Sequence, residues 1–252
     1  MKVNYNPNMM LICLLLVMLG ACKKNDGPTP VSIVGNIKTQ NIVTTDSTGT
    51  VVNTNNLLYT YDLQGRLSLI QNTSSGGLNE TFTYHGNIVT MVQQPIGQAA
   101  SDPVIYNLNN QGYAQSDNQN TIYTYDVTGR CLTAIVTLPQ LTDTTLNTYL
   151  NENLIVSRHS ARFTDSVNLH VDSTLYTYLP NADKRNALPA FWGQGNVNLA
   201  ATQTVTSGTY RQTANYTYDL DTQSRVVTER HVSQSPSTGL TLYTTVTQYT
   251  YY

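Results

Sequence analysis

The sequence predicts an all-β fold, an antiparallel meander of repeated β-hairpins forming a curved open sheet or partial shell. Three observations carry that expectation. The 252 residues include 38 threonines, 26 asparagines and 18 tyrosines, an excess of β-branched and aromatic residues that suits pleated strands and tight turns. A Tyr-x-Tyr-Asp-x-x-Gly-Arg unit recurs along the chain. No segment combines a sustained 3.6-residue apolar period with helix-capping residues, so long helices are not expected.

At the amino end, Lys2 precedes an unbroken apolar run from Met9 to Ala21 that closes on the small residues Gly20 and Ala21. That is the layout of a signal peptide, residues 1–21. A spanning helix needs about 20 apolar residues to cross roughly 30 Å of hydrocarbon, and this run is followed at once by Lys23, Lys24, Asn25 and Asp26. Leu19-Gly20-Ala21-Cys22 resembles the bacterial lipobox, which implies cleavage before Cys22 and lipidation of its thiol. The alternative is an ordinary secretory peptide with an incidental cysteine. Residues 22–36 then read as the lipidated cysteine and a tether, since Gly27, Pro28 and Pro30 sit among few apolar residues. Two or three acyl chains give stable anchoring where one does not. The expected partner is therefore a membrane, reached through the lipid. Lys23 directly after the cysteine favours the outer membrane of the cell envelope, with the leaflet left open.

Cleavage removes Lys2 and no acidic group, so the net charge moves from −2 to −3. Beyond position 24 the only lysines are Lys38 and Lys184, too few to neutralise a run of phosphates, and nucleic acid is excluded as a partner. Of the three cysteines, Cys13 leaves with the signal and Cys22 carries lipid, so Cys131 has no disulfide partner. The domain, residues 37–252, must be held by its sheet and core.

Within it, Leu58-Tyr59-Thr60-Tyr61-Asp62-Leu63-Gln64-Gly65-Arg66 is repeated as Ile122-Tyr123-Thr124-Tyr125-Asp126-Val127-Thr128-Gly129-Arg130. A third copy, Tyr216-Thr217-Tyr218-Asp219-Leu220 followed by Arg225, is expected to have a lengthened turn with Ser224 before the arginine. Weaker copies surround Tyr84, Tyr106, Tyr149, Tyr176-Thr177-Tyr178 and Tyr249-Thr250-Tyr251. In each Tyr-x-Tyr the rings are two apart, hence on one face of a strand. Asp62 to Gly65 and Asp126 to Gly129 fit a type I turn whose glycine supplies the positive φ of the bulge that opens the return strand. Arg66 and Arg130 are placed to pair with the turn aspartate or to lie over a tyrosine ring.

This unit resembles the YD repeat of the RHS and teneurin families, whose hairpins build large β-shells. The whole layout, with lipobox, tether and degenerate hairpins ending on a tyrosine-rich strand, is most similar to small YD-repeat, RHS-like lipoproteins of Bacteroidota, a family of unknown function. The resemblance covers most of positions 37 to 252 and implies no catalytic residues.

No nucleophile elbow, phosphate-binding loop, dinucleotide fingerprint or metal-binding doublet occurs, so no cofactor, metal or catalytic residue is assigned. His85, His159, His170 and His231 lack metal-ligand spacing, and His85 fits a tight turn with Gly86 and Asn87. Asp219 and Asp221 fit a solvated turn better than an acid/base pair. The longest break in the repeat, Pro180 to Ala200, holds Phe191 and Trp192 between polar and glycine residues. These two are the candidate ligand-binding residues, and the alternative is a plug that covers one end of the sheet. The expected function is a non-enzymatic cell-envelope lipoprotein presenting a β-sheet surface to a glycan or a protein. The alternatives are an envelope hydrolase, which needs two or more of Asp143, Asp165, Asp172, Asp219 and Asp221 in one pocket, or a purely architectural assembly partner.

Overall fold

The computed structural model describes residues 35–163, 169–185 and 189–252. The signal peptide, Cys22, most of the tether and Asp165 lie outside the described residues.

Sixteen strands follow one another in an up-and-down meander. They are β1 (Ile37–Asp46), β2 (Val51–Tyr61), β3 (Leu67–Asn72), β4 (Leu78–His85), β5 (Ile88–Pro95), β6 (Val104–Leu108), β7 (Ala114–Asp117) and β8 (Thr121–Tyr125). There follow β9 (Cys131–Leu138), β10 (Leu141–Leu150), β11 (Asn153–Phe163), β12 (Leu169–Ala182), β13 (Asn198–Ser207), β14 (Tyr210–Leu220), β15 (Val226–Gln234) and β16 (Thr241–Tyr251). A single turn of 3-10 helix, Ala190–Trp192, lies between β12 and β13.

The sheet is a closed barrel, which corrects the expectation of an open sheet or partial shell. β1 pairs with β2 on one side and with β16 on the other, from Ile37 opposite Tyr251 to Asp46 opposite Tyr243. The physical reason is edge satisfaction. An open meander would leave the N–H and C=O rows of the first and last strands bare, and pairing them removes both edges.

The turns explain the repeat. In the first copy the Asp62 N–H donates to the Arg66 carbonyl at 2.8 Å and the Gly65 N–H returns to the Asp62 carbonyl at 2.9 Å. The Asp62 carboxylate takes the N–H groups of Gln64 and Arg66, each at 2.9 Å. Asp126 to Arg130 is built the same way. The third copy corrects the sequence alignment: its turn is not lengthened. Asp221, not Asp219, takes the N–H groups of Gln223 and Arg225, and Ser224 adopts φ +59° where the others have glycine at φ +74° and +87°. The strand runs two residues past the second tyrosine before it turns, and Asp219 points outward along it.

Each of these hairpins slips register as the return strand opens. Tyr61 pairs with Leu67, Tyr125 with Cys131, Tyr149 with Leu154, Tyr178 with Ala200, and Leu220 with Val226, each beside a register shift. One residue is extra, and the carbonyl before it falls out of the ladder. A tyrosine hydroxyl from the next strand on takes that carbonyl. Tyr84 bonds Leu67, Tyr149 bonds Cys131, Tyr178 bonds Leu154, Tyr218 bonds Ala200 and Tyr251 bonds Val226, at 2.6 to 3.1 Å. Where the barrel closes, Tyr61 does the same for Ile37, at 3.0 Å, beside the shift that separates β1 from β16. The second tyrosine of the first and third copies, Tyr61 and Tyr218, is thus a hydrogen-bond donor for a bulge as well as a ring in the core.

Candidate functional site

Register assigns every strand residue to the inner or outer wall. One inner rung crosses β8 to β14 as Tyr123, Ala134, Thr145, His159, Asp172, Ser207 and Tyr210. One outer rung crosses the same strands as Thr124, Thr133, Leu146, Arg158, Ser173, Thr206 and Arg211. Another outer rung, on the opposite side, reads Asp219, Thr228, Gln248, Asn41 and Asn56. These outer rungs are therefore threonine-rich, with Arg158 at the middle of β11 and the amides of Gln248, Asn41 and Asn56 within their strands. A lipid-facing barrel has the opposite pattern, apolar outside and polar inside, and an arginine at the bilayer midplane costs about 2–4 kcal/mol.

The two ends of the barrel differ. The tyrosine rings gather at the end where the Asp-x-x-Gly turns lie, and there described residues of the connection between β12 and β13 enter the bore on two sides. On one side Arg185 binds Asp183 through Nη2 at 2.7 Å and pairs with Glu229 on β15. Burial pushes the Glu229 carboxyl up despite this cation. On the other side Phe191, 3% exposed, packs on Phe82, Tyr84 and Tyr106 at ring distances of 6.2, 6.4 and 5.0 Å. Trp192 meets Tyr106 edge-on at 6.3 Å. The Gln194 N–H then donates to the Gly129 carbonyl at 2.9 Å, and Asn196 accepts from the Leu154 N–H at 2.8 Å. Phe191 and Trp192 are thus part of the packed interior, and Phe191 presents no free ring face.

Outside this connection lies a crevice of about 660 Å³, lined by Thr128, Arg130, Glu152, Lys184, Gln194 and Asn196 among others. Its arginine charges are satisfied internally: Arg130 meets Glu152 at 3.1 Å and also binds Thr128.

At the far end, the mouth, polar groups converge on the inner wall. His159 Nε2 lies 2.8 Å from Asp143 and its Nδ1 lies 3.6 Å from Asp172. His170 Nε2 lies 3.0 Å from the same Asp172 oxygen. The hydrogen bond to Asp143 leads in raising the His159 pKa. The Ser207 hydroxyl leads in lowering that of Asp172, yet Asp172 Oδ1 has no donor at hydrogen-bonding geometry among the described residues. These inward side chains remain 29% to 58% exposed, so water reaches the inner wall here. The spacing of the histidines along the chain conceals this cluster. It forms because β11 and β12 are paired, which sets His159 directly opposite Asp172.

The remaining candidates separate. His85 closes the β4–β5 turn opposite Ile88. His231 stacks on Tyr216 at 4.8 Å, bonds Ser233 at 3.0 Å and has its pKa lowered by burial. Asp221 is held by Arg225 in its turn at 2.8 Å. Among the described residues no group of three or more histidine, cysteine or carboxylate side chains is placed to hold a metal ion.

No protein-family model matches the chain, and no curated protein matches it. Among solved structures it is similar to a porin-like protein from Bacteroides uniformis, with a TM-score of 0.52 and 15% identity over 90% of this chain and 100% of that one. A porin-like protein from Bacteroides vulgatus follows, with a TM-score of 0.50 and 14% identity over 86% and 99%. At such identities the likeness shows the fold alone, a closed β-barrel.

Proposed function

We propose that this protein is a non-enzymatic cell-envelope lipoprotein, anchored at the outer membrane through Cys22, whose barrel is a binding module standing in water. It is not a pore. The observation that carries this reading is the outer wall. The rung from Thr124 to Arg211 crosses seven strands with Leu146 as its one apolar member, and lipid would leave Arg158, at the middle of β11, unsolvated. The bore supports it, because Arg185 fills it on the side of Glu229 and Phe191 on the side of Phe82. Relationship to the small YD-repeat lipoproteins belongs to the same reading, and rests on the repeat and the lipobox.

The test pairs two measurements on the purified full chain. Planar bilayers should show no conductance steps, and envelope extracts or a glycan array should give saturable binding. Ohmic channels of uniform size would overturn the reading.

One observation favours a second reading, an envelope hydrolase. Asp143 and Asp172, two of the five carboxylates from which such an enzyme would draw at least a pair, flank His159 on the inner wall. Both ring nitrogens of His159 face carboxylates, so neither is turned to a substrate, whereas His170 keeps its Nδ1 clear of Asp172. Turnover of a glycoside or ester that is lost in His170→Gln would support the hydrolase over the binding module.

A further inference from the structure

Two tyrosines, Tyr210 and Tyr243, stand apart from the rest. Most tyrosines of the domain have their rings packed at the turn end of the barrel, and six of them close a bulge. Tyr210 and Tyr243 lie on the inner wall at the mouth with 52% and 49% of their surface exposed. Tyr210 is the more telling, because its hydroxyl donates to Gln212 Oε1 at 2.6 Å. That bond fixes the ring while leaving its face open.

Tyr210 ends an inner rung that runs back through Ser207, Asp172 and His159. Direct cross-strand partners stand about 4.5–5.5 Å apart. The rung thus sets an aromatic face in line with a hydroxyl, a carboxylate and an imidazole over roughly 15 Å, about the length of three sugar residues, with Asp143 and His170 alongside. A pyranose has an apolar C–H face and a rim of hydroxyl donors. The mouth supplies the complement: a pinned ring for the first and carboxylate acceptors for the second. Phosphates and uronic acids are disfavoured, because Asp143 and Asp172 already carry negative charge into a wall with no lysine or arginine on this rung.

We propose that the inner wall of the mouth, built on Tyr210, Ser207, Asp172 and Asp143, binds a neutral saccharide. This rests on the binding-module reading and adds the site and the ligand class.

The test uses the full chain in detergent micelles against neutral oligosaccharides (gluco-, manno- and xylo-series) and a uronic-acid series. Neutral members should bind saturably, and uronic acids at least tenfold more weakly. Tyr210→Ala, at an exposed position that leaves the fold intact by circular dichroism, should weaken binding tenfold or more, as should Asp172→Asn. Leu146→Ser on the outer wall should have no effect. Saccharide binding that survives both mouth substitutions, or that prefers uronic acids, would overturn the proposal. If no saccharide binds but an envelope protein does so saturably, this site assignment falls while the binding module stands. If neither binds, both fall.

Discussion

Tyr84 donates its hydroxyl to the Leu67 carbonyl at 2.8 Å, and Leu67 is the residue at which the preceding hairpin slips register against Tyr61. The same relationship joins Tyr218 to Ala200 and Tyr251 to Val226. In these three cases a bulge opens in one strand pair and a tyrosine of the next strand closes it. Burial pushes the Tyr84 and Tyr251 hydroxyls up to about 12, so they remain donors across the physiological range. Tyr84→Phe should lower unfolding free energy by about 1 kcal/mol, the usual net worth of one hydrogen bond, with more lost if the carbonyl stays dry. Tyr243→Phe, outside this system, should be neutral in the same urea titration.

Arg185 stands between Glu229 and the rings of Tyr218 and Tyr249, with its guanidinium 5.6 and 5.9 Å from their centroids. Arg185→Met leaves Glu229 buried without its cation, and breaking a buried pair costs about 3–5 kcal/mol. The Glu229 pKa is already raised by burial and would rise further. A raised carboxyl contributes stability at low pH and loses it as pH climbs through the folded value. The variant should therefore be closer to wild type at pH 5 than at pH 8 in thermal melts, and Glu229→Gln added to it should remove that slope.

Gly193 has φ +101°, and a Cβ there would lie 2.6 Å from the Gly129 carbonyl oxygen. Neither strain has a flexible neighbour to absorb it. Gly193→Ala should destabilise by about 1–3 kcal/mol and raise protease cutting between β12 and β13. Ser224→Gly, which relieves φ +59° in the third turn, should be neutral or stabilising.

His159 has a raised pKa, led by its bond to Asp143. Its contribution is complete below the unfolded histidine value of about 6.5 and is lost as pH rises through the folded value. The ring is 39% exposed, so the effect is screened and small. NMR titration should place the His159 midpoint above that of the unfolded chain, and Asp143→Asn should lower it.

Much of this was legible in the chain, for reasons that are local. Asp62 and Gly65 define their turn by chemistry confined to five residues, and the paired tyrosines mark one strand face by their spacing alone. The third turn is harder to place from the chain, because Tyr216 and Tyr218 point to Asp219 as its first residue, whereas Arg225 and the positive φ of Ser224 belong to a turn that starts at Asp221. Closure was hidden because β1 and β16 meet only after fourteen intervening strands, and neither carries a residue that names its partner. The His159–Asp172 pair was hidden for a related reason: its two members are thirteen positions apart and meet only once the β11–β12 register is known. Phe191 and Trp192 advertise an unusual loop, but their sequence does not reveal that Phe82 and Tyr106 wait inside the barrel.

The most direct test of the account is whether the outer wall meets water in the anchored protein. Thr204→Cys and Gln248→Cys, each in a Cys131→Ser background and carried on lipid vesicles, should react with a membrane-impermeant maleimide as fast as an exposed surface thiol. Protection of both positions by the bilayer, with fast labelling only at the hairpin tips, would contradict it and make the barrel a membrane-spanning one.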